Sequence, residues 1–513
     1  MPASKESSIA PSAIRFDLTN AKTDTTAMSQ PGKSCGDMPA EEFRQFGHQL
    51  IDWVADYLRD IGQHPVFPGN LQPKDIRRLL PASPPQQGED MTKILADIDR
   101  IIMPGMTHWN HPRFFAYFTS SASGPGILGD MLATAFNING MLWQSCPSAT
   151  ELEEVTLGWL RQMLHLPEDF WGIIFDGASM STMHALAAAR EQCVDLQIRA
   201  RGMTGRDDLP RLRLYVSEYT HSSIDKAALL IGIGMSGIRR IPVDDEFRMQ
   251  PAALAAAIAE DRRAGWLPFC AVATVGTTSC TSIDPVPEIA AICTRENVWL
   301  HVDAAHGGIA AIVPEMRHLL AGCENADSLV VNPHKWMFVP MGLSVLYTRK
   351  PEVLRRAFSL VPEYLRTAQD EEVTNYMNYG IPLGRRFRAL KFWFVMRYFG
   401  IEGIVTRVRE HLRLAQLFAK WIDEHPAFER LAPVPLSTIC FRAHPQGVEE
   451  VSALNRLNEQ LLRAINETGE AFLSHTKLND CFVIRLVISH LRVTEAEVRR
   501  TWEIVQEKQK LFS

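Results

Sequence analysis

From Glu41 onward, Phe43, Phe46, Leu50, Trp53, Val54, Tyr57 and Leu58 recur at intervals of three and four, which places them on one face of an amphipathic helix. Two further helices are predicted before Pro104, separated by the Pro-rich stretch Pro81 to Pro85. From about residue 124 to 390 the pattern changes. Short β-rich runs (Ile173 to Phe175, Leu212 to Val216, Ile238 to Val243, Phe269 to Val275, Val298 to Asp303, Leu329 to Val331) alternate with helical stretches such as Met180 to Arg199 and Pro251 to Arg263. Apolar strands joined by crossover helices predict an α/β fold whose sheet is mostly parallel and covered on both faces. The last stretch has long helices and a few short strands, Thr438 to Phe441 and Phe482 to Ile488. The expected organisation is a flexible leader (1–38), an N-terminal helical segment (39–123), a large α/β domain (124–390) and a small C-terminal α+β domain (391–513). The helical segment is too small for a core of its own and must pack on something else.

Composition narrows the class. The 513 residues are 46% hydrophobic, which supports a substantial core. A net charge of -6 without blocks of Lys or Arg leaves no footprint for nucleic acid or an anionic membrane. Nine scattered cysteines with no C-x-x-C pair fit a reducing compartment and argue against a disulfide framework. No apolar run approaches the ~18 residues of a membrane span, and the first thirty residues do not read as a signal peptide, so a cytoplasmic location is expected.

The chemistry gathers at predicted strand ends. Asn332-Pro333-His334-Lys335-Trp336 follows the run ending at Val331, so Lys335 sits on a loop leaving the sheet, in a setting that its Pro and Trp neighbours make fixed and partly buried. About thirty residues upstream, the run from Val298 ends on Asp303. Ligands of parallel sheets bind outside the carboxyl ends of the strands. An amine and a carboxylate delivered there are what pyridoxal phosphate requires: one to form an imine with the aldehyde, the other to keep the pyridine nitrogen protonated. Asp176-Gly177-Ala178-Ser179 opens a helix and is a candidate phosphate turn, although Ser179 as a plain N-cap explains the same residues. His221 and the pair Thr277-Thr278 end two more strands. His301, Asp303 and His306 could in principle ligate a metal, but that would leave the Lys335 loop unexplained, and no metal is expected. Gly232-Ile-Gly234-Met-Ser-Gly237 matches G-x-G-x-x-G but precedes a strand, the reverse of a dinucleotide turn.

These motifs, with His111-Pro-Arg-Phe-Phe-Ala-Tyr117-Phe, resemble the group II pyridoxal-phosphate-dependent amino-acid decarboxylases, most closely the aromatic-L-amino-acid decarboxylases, from about Met38 to Trp502. The resemblance implies the aspartate-aminotransferase-like fold type I and a homodimer whose active site is shared across the interface, acting on a small-molecule amino-acid substrate. It implies Lys335 as the Schiff-base lysine, Asp303 as the partner of the pyridine nitrogen, and His221 over the ring with Ala305 on its other face. Ala178, Ser179, Asn332 and His334 become phosphate-side contacts and Thr278 a further cofactor contact. Tyr117, Phe118 and Ser120, together with Asn139 and Met141, become the substrate pocket; Trp109 and Arg385 also match site positions. Tyr364 becomes the proton donor that distinguishes decarboxylases from the related aldehyde synthases, which carry phenylalanine there.

The departures concern the substrate. Asp176 beside a phosphate would be repulsive unless it points away, and Asn139, Met141, Thr119 and His306 stand where the family has other residues. The expected reaction is decarboxylation of tryptophan, tyrosine, phenylalanine or dopa. The alternatives are a glutamate, aspartate or cysteine sulfinate decarboxylase, an aromatic aldehyde synthase, a metal hydrolase and a scaffold without cofactor.

Overall fold

The structure is a computed structural model that describes residues 36–69, 71–360 and 372–512. Residues 1–35 of the leader, and Tyr364, lie outside the described residues. Seven strands form the main sheet: β1 (Trp171–Phe175), β2 (Arg211–Ser217), β3 (Ile238–Ile241), β4 (Trp266–Thr274), β5 (Trp299–Asp303), β6 (Ser328–Val331) and β7 (Ser344–Thr348), in the order β1-β7-β6-β5-β4-β2-β3. The pairs from β3 through β6 are parallel, and β7 runs antiparallel to both β6 and β1. The predicted runs fall within or at the edges of these strands; β7 was not predicted. Between β6 and β7 the only regular element is the helical turn Pro333–Trp336, which is too short for a crossover, so the chain returns antiparallel.

The central strands are buried along their length because both faces are covered. On one face Leu254, Ile258 and Ile289 pack on Ala271, Leu300 and Val302. On the other, Met183, Leu186 and Ala187 of helix Ala178–Glu191 pack on Ile173, Val216 and Val272. A second, antiparallel sheet contains β8 (Phe428–Arg430), β9 (Thr438–Ala443), β10 (Ser474–Leu478) and β11 (Cys481–Val487), in the order β10-β11-β9-β8. Helix Arg388–Asp423 joins the two cores: Phe392, Val395 and Met396 belong to the first, and Leu414, Phe418 and Ile422 to the second. It bends between them at Gly400, whose φ of 61° a side chain would oppose.

Helix Ala40–Asp60 forms where the pattern predicts a helix, but most of its apolar face is not buried. Its buried contact is the small cluster of Phe46 and Leu95, while Phe43, Leu50 and Ile51 stay exposed. Among the described residues no helix is long and apolar enough to cross a membrane.

Helix Gly124–Phe136 lies close against helix Arg388–Asp423, and a Cβ on Gly129 would stand 2.7 Å from the Lys391 Cα. Backbone cannot yield as a flexible side chain can. Gly129→Ala is therefore expected to cost about 1–3 kcal/mol by overpacking, seen as a lower thermal midpoint with unchanged far-ultraviolet circular dichroism at low temperature.

Candidate active site

Because β4, β5 and β6 are parallel, their carboxyl ends finish at one edge. Asp303 ends β5 opposite Thr274 of β4 and Val330 of β6. Its Oδ1 accepts the Ala305 N–H at 3.1 Å, which orients the carboxylate. Beyond β6, Asn332 caps the turn Pro333–Trp336 that carries Lys335. Trp336 is fully buried, donates its Nε1 hydrogen to His411 Nδ1 at 2.9 Å and stacks on His306 at 4.6 Å. The His334 Nδ1 lies 2.6 Å from the Leu343 carbonyl oxygen. With both neighbours held in the core, the half-buried Lys335 has one direction left, into the cleft.

Burial pushes the Lys335 amine below the ordinary lysine value; the Asp303 carboxylate opposes this, and the Arg485 guanidinium adds to the lowering. His221, after β2, is lowered mainly by burial and feels both Asp303 and Lys335. Its Nδ1 accepts the Ser223 N–H at 3.1 Å, which directs the other ring nitrogen away from that turn. Lys335, Asp303 and His221 thus lie within electrostatic reach of one another.

Phe118 forms the adjoining wall. Its ring stacks on His306 at 3.8 Å, and the Lys335 Nζ stands 5.0 Å from its centroid. Tyr117 is half exposed, stacks on Trp109 at 5.8 Å, and has a φ of 54°, a left-handed conformation costing roughly 1–3 kcal/mol in a residue of this kind. The bend is held from the second sheet: the Tyr117 N–H donates to Ser474 Oγ at 3.2 Å, and its carbonyl accepts from Arg485 Nη1 at 2.7 Å.

Arg485 was not anticipated. It lies in β11, 3% exposed, with its Cζ 4.6 Å from the Phe118 ring. Among the described residues its Nη2 has no hydrogen-bond partner, and no carboxylate is among the groups that act on its charge. The available signal was an arginine inside the otherwise apolar run Phe482 to Ile488.

Other residues stand apart from this group. Asn139 and Met141 occupy the loop after helix Gly124–Phe136, where Asn139 Oδ1 accepts the Arg385 N–H at 2.9 Å. Arg385 itself is committed to Glu153 at 2.6 Å and the Ile174 carbonyl at 3.0 Å. Thr278 is exposed at the end of the loop beyond β4. Ala178 and Ser179 form the first turn of helix Ala178–Glu191, and Asp176 pairs with Arg388 at 2.5 Å, so its charge is turned toward a cation. His301 is tied to Ser328 Oγ at 2.9 Å, and among the described residues no group of three His, Cys, Asp or Glu could hold a metal. A separate cavity of about 530 Å³, lined by Arg248, Asp284 and His318 among others, shares none of these side chains.

Among the described residues, buried Ser120 Oγ, Thr274 Oγ1 and Asn332 Oδ1 have no partner. Orphaned polar atoms, with a lysine that makes no ion pair among the described residues, fit a polar cofactor in the cleft. Lys335 would meet an aldehyde, Asp303 a ring nitrogen, and the first turn of helix Ala178–Glu191 a phosphate.

Such a sheet and such a lysine define a pyridoxal-phosphate enzyme, and comparison with known proteins narrows the class. Residues 73–444 match the pyridoxal-dependent decarboxylase conserved domain. The chain is 40% identical to the aromatic-L-amino-acid decarboxylase of Rattus norvegicus, over 92% of this chain and 98% of that one. It is 37% identical to the phenylacetaldehyde synthase of Arabidopsis thaliana, over 93% and 98%. The crystal structure of Catharanthus roseus tryptophan decarboxylase with L-tryptophan superimposes with a TM-score of 0.87 at 34% identity, covering 93% of this chain and 100% of that chain. The chain belongs to the pyridoxal-dependent decarboxylases. Its cofactor is pyridoxal 5′-phosphate and its fold is type I.

Lys335→Ala is expected to remove the borohydride-fixable yellow colour of the purified protein while leaving its circular dichroism intact. Because the folded amine is lowered, its neutral fraction at a given pH exceeds that of a surface lysine. Apoprotein should therefore take up pyridoxal phosphate rapidly below pH ~10.4, where an ordinary lysine is mostly protonated; stopped-flow absorbance reads the rate.

Proposed function

We propose that this enzyme decarboxylates an aromatic L-amino acid (tryptophan, tyrosine, phenylalanine or dopa) to the amine and carbon dioxide. The observation that carries this reading is the Lys335 amine 5.0 Å from the Phe118 ring, in a wall continued by His306 and Trp336. The names of the similar proteins support it.

Bound pyridoxal phosphate supplies a conjugated ring that takes up the electron pair left when carbon dioxide departs. This chain's residues do the rest. Lys335, its proton affinity lowered by burial, would be the amine that bonds the cofactor aldehyde. Asp303, oriented by the Ala305 N–H, holds a proton at the pyridine nitrogen. His221 and Ala305 would hold the ring, Ala178, Ser179, Asn332 and His334 the phosphate, and Thr278 would add a further cofactor contact. Tyr117, Phe118 and Ser120 orient the substrate, and the unpaired Nη2 of Arg485 offers its carboxylate a cation. Tyr364 returns a proton to the carbon that lost carbon dioxide.

The same reading includes a homodimer in the cytoplasm. The exposed Phe43, Leu50 and Ile51, with Leu128, Met131 and Phe136 of helix Gly124–Phe136, are the faces a partner would cover, and Asn139 and Met141 would complete the partner's pocket. The 39–123, 124–390 and 391–513 segments are its dimerisation, cofactor-binding and small domains.

Incubation with a panel of amino acids should release carbon dioxide and amine in equal amounts from aromatic substrates, without peroxide. Release from glutamate but not from tryptophan or tyrosine would overturn the aromatic assignment. Tyr364→Phe is expected to divert the product to aldehyde and peroxide. Asp303→Asn should lower kcat by about 100-fold or more, a loss of over ~2.7 kcal/mol in transition-state stabilisation.

A further inference from the structure

Among the described residues, Asp284 is a buried carboxylate on whose charge no cation acts. It is 2% exposed, and the one charged side chain that acts on it, Asp244, has the same sign. Burial pushes it up to about 6, opposed by two backbone donors. Its Oδ1 accepts the Met249 N–H and its Oδ2 the Thr274 N–H, both at 2.7 Å. Neither oxygen bonds the helix that follows, Val286–Arg295. Burying a charge is costly unless its hydrogen bonds are made. Only an ionised carboxylate accepts at both oxygens; an amide would turn its own hydrogens toward one of these donors.

What Asp284 holds is the end of β4. Thr274 is gripped twice, because the Asp284 N–H also donates to the Thr274 carbonyl oxygen at 2.9 Å. Thr274 stands opposite Asp303 in the parallel register, and the next residue, Val275, donates its N–H to the Asp303 carbonyl oxygen at 2.9 Å. From there the chain forms a hairpin, closed by the bridge between Val275 and Ile283 and by the Gly276 and Thr277 N–H groups on the Ser282 carbonyl. Its tip is fastened to the second sheet, where Arg485 Nε donates to the Ser279 carbonyl oxygen at 3.1 Å. One hairpin therefore meets Asp303 at its base and Arg485 at its tip. We propose that Asp284 is a positioning residue for decarboxylation: by fixing the base of this hairpin, it sets where Asp303 and Arg485 stand in the cleft. This rests on the reading of those two residues given above.

The test uses the holoenzyme with Asp284→Asn, which keeps the shape and replaces one acceptor by a donor. Asp284→Ser, with a single hydroxyl to accept, takes its place if the first variant does not fold, and the same results are expected of it. Gly129→Ala, which disturbs helix packing elsewhere, is the control for lost stability. In Asp284→Asn, amide exchange at Thr274 and Val275 should accelerate about tenfold, the loss of one hydrogen bond to a charged group. The dissociation constant for pyridoxal phosphate should rise about tenfold, and with L-tryptophan kcat should fall about tenfold while KM rises about fivefold. The pH midpoint of the bound cofactor's absorbance should move in the same direction as in Asp303→Asn, and by less. Gly129→Ala should lower the thermal midpoint and leave the absorbance midpoint in place. Unchanged exchange at Thr274, or an unmoved absorbance midpoint in Asp284→Asn, would overturn the proposal. So would an absorbance midpoint that Gly129→Ala moves as far, the mark of stability alone. Asp303→Asn distinguishes the two levels of the argument. If it leaves the absorbance midpoint at the wild-type value, the reading of Asp303 fails and the proposal falls with it; if it moves the midpoint and Asp284→Asn does not, the proposal alone fails.

Discussion

An amine held beside a carboxylate without pairing to it is the arrangement on which this molecule depends. Burial lowers the proton affinity of Lys335, yet Asp303 spends one oxygen on the Ala305 N–H rather than on the lysine. A direct ion pair would hold the amine protonated and occupy the carboxylate that a pyridine nitrogen needs. The separation comes from the backbone. Asp303 ends β5, and Lys335 lies a turn beyond the end of the adjacent parallel strand β6. Had the two strands been antiparallel, these ends would have been at opposite edges of the sheet.

The rigidity of that edge has several sources. Trp336 and His334, the neighbours of Lys335, are anchored to His411 and Leu343, which leaves the lysine little choice of direction. The wall opposite is braced from the second sheet, where Arg485 and Ser474 hold both ends of the Tyr117 bend. Helix Arg388–Asp423 runs through both cores and keeps the two sheets in register, and Arg388 near its start also neutralises Asp176 beside the phosphate turn. The small sheet is therefore part of the cleft and not an appendage to it.

Much of this was legible in the residues. The parallel strands could be read because strands buried on both faces are uninterrupted apolar runs, and the lysine loop because Pro333 and Trp336 mark a fixed, buried turn. The strand β7 was passed over although Leu343-Ser-Val-Leu-Tyr-Thr348 is an apolar run like the others, and its antiparallel direction is set by the length of the connection rather than by composition. Arg485 was missed because it is a single charge in an apolar strand, and its meaning depends on what faces it from 368 residues away in the chain. The Asp176 anomaly dissolved for the same reason, since its partner belongs to a distant helix.

By itself, then, the sequence determined the local chemistry: which strand ends carry an amine, an acid and an imidazole, and which periodicity folds around them. These are properties of short segments, where neighbouring side chains and backbone preference dominate. Only the tertiary structure decided that Arg485 stands over Phe118 with its Nη2 unpartnered among the described residues, that Arg385 serves Glu153 rather than the cleft, and that Asn139 and Met141 lie apart from the Lys335 group. Those outcomes depend on packing between segments far apart in the chain, where burial and the choice of hydrogen-bond partner are settled by the whole fold.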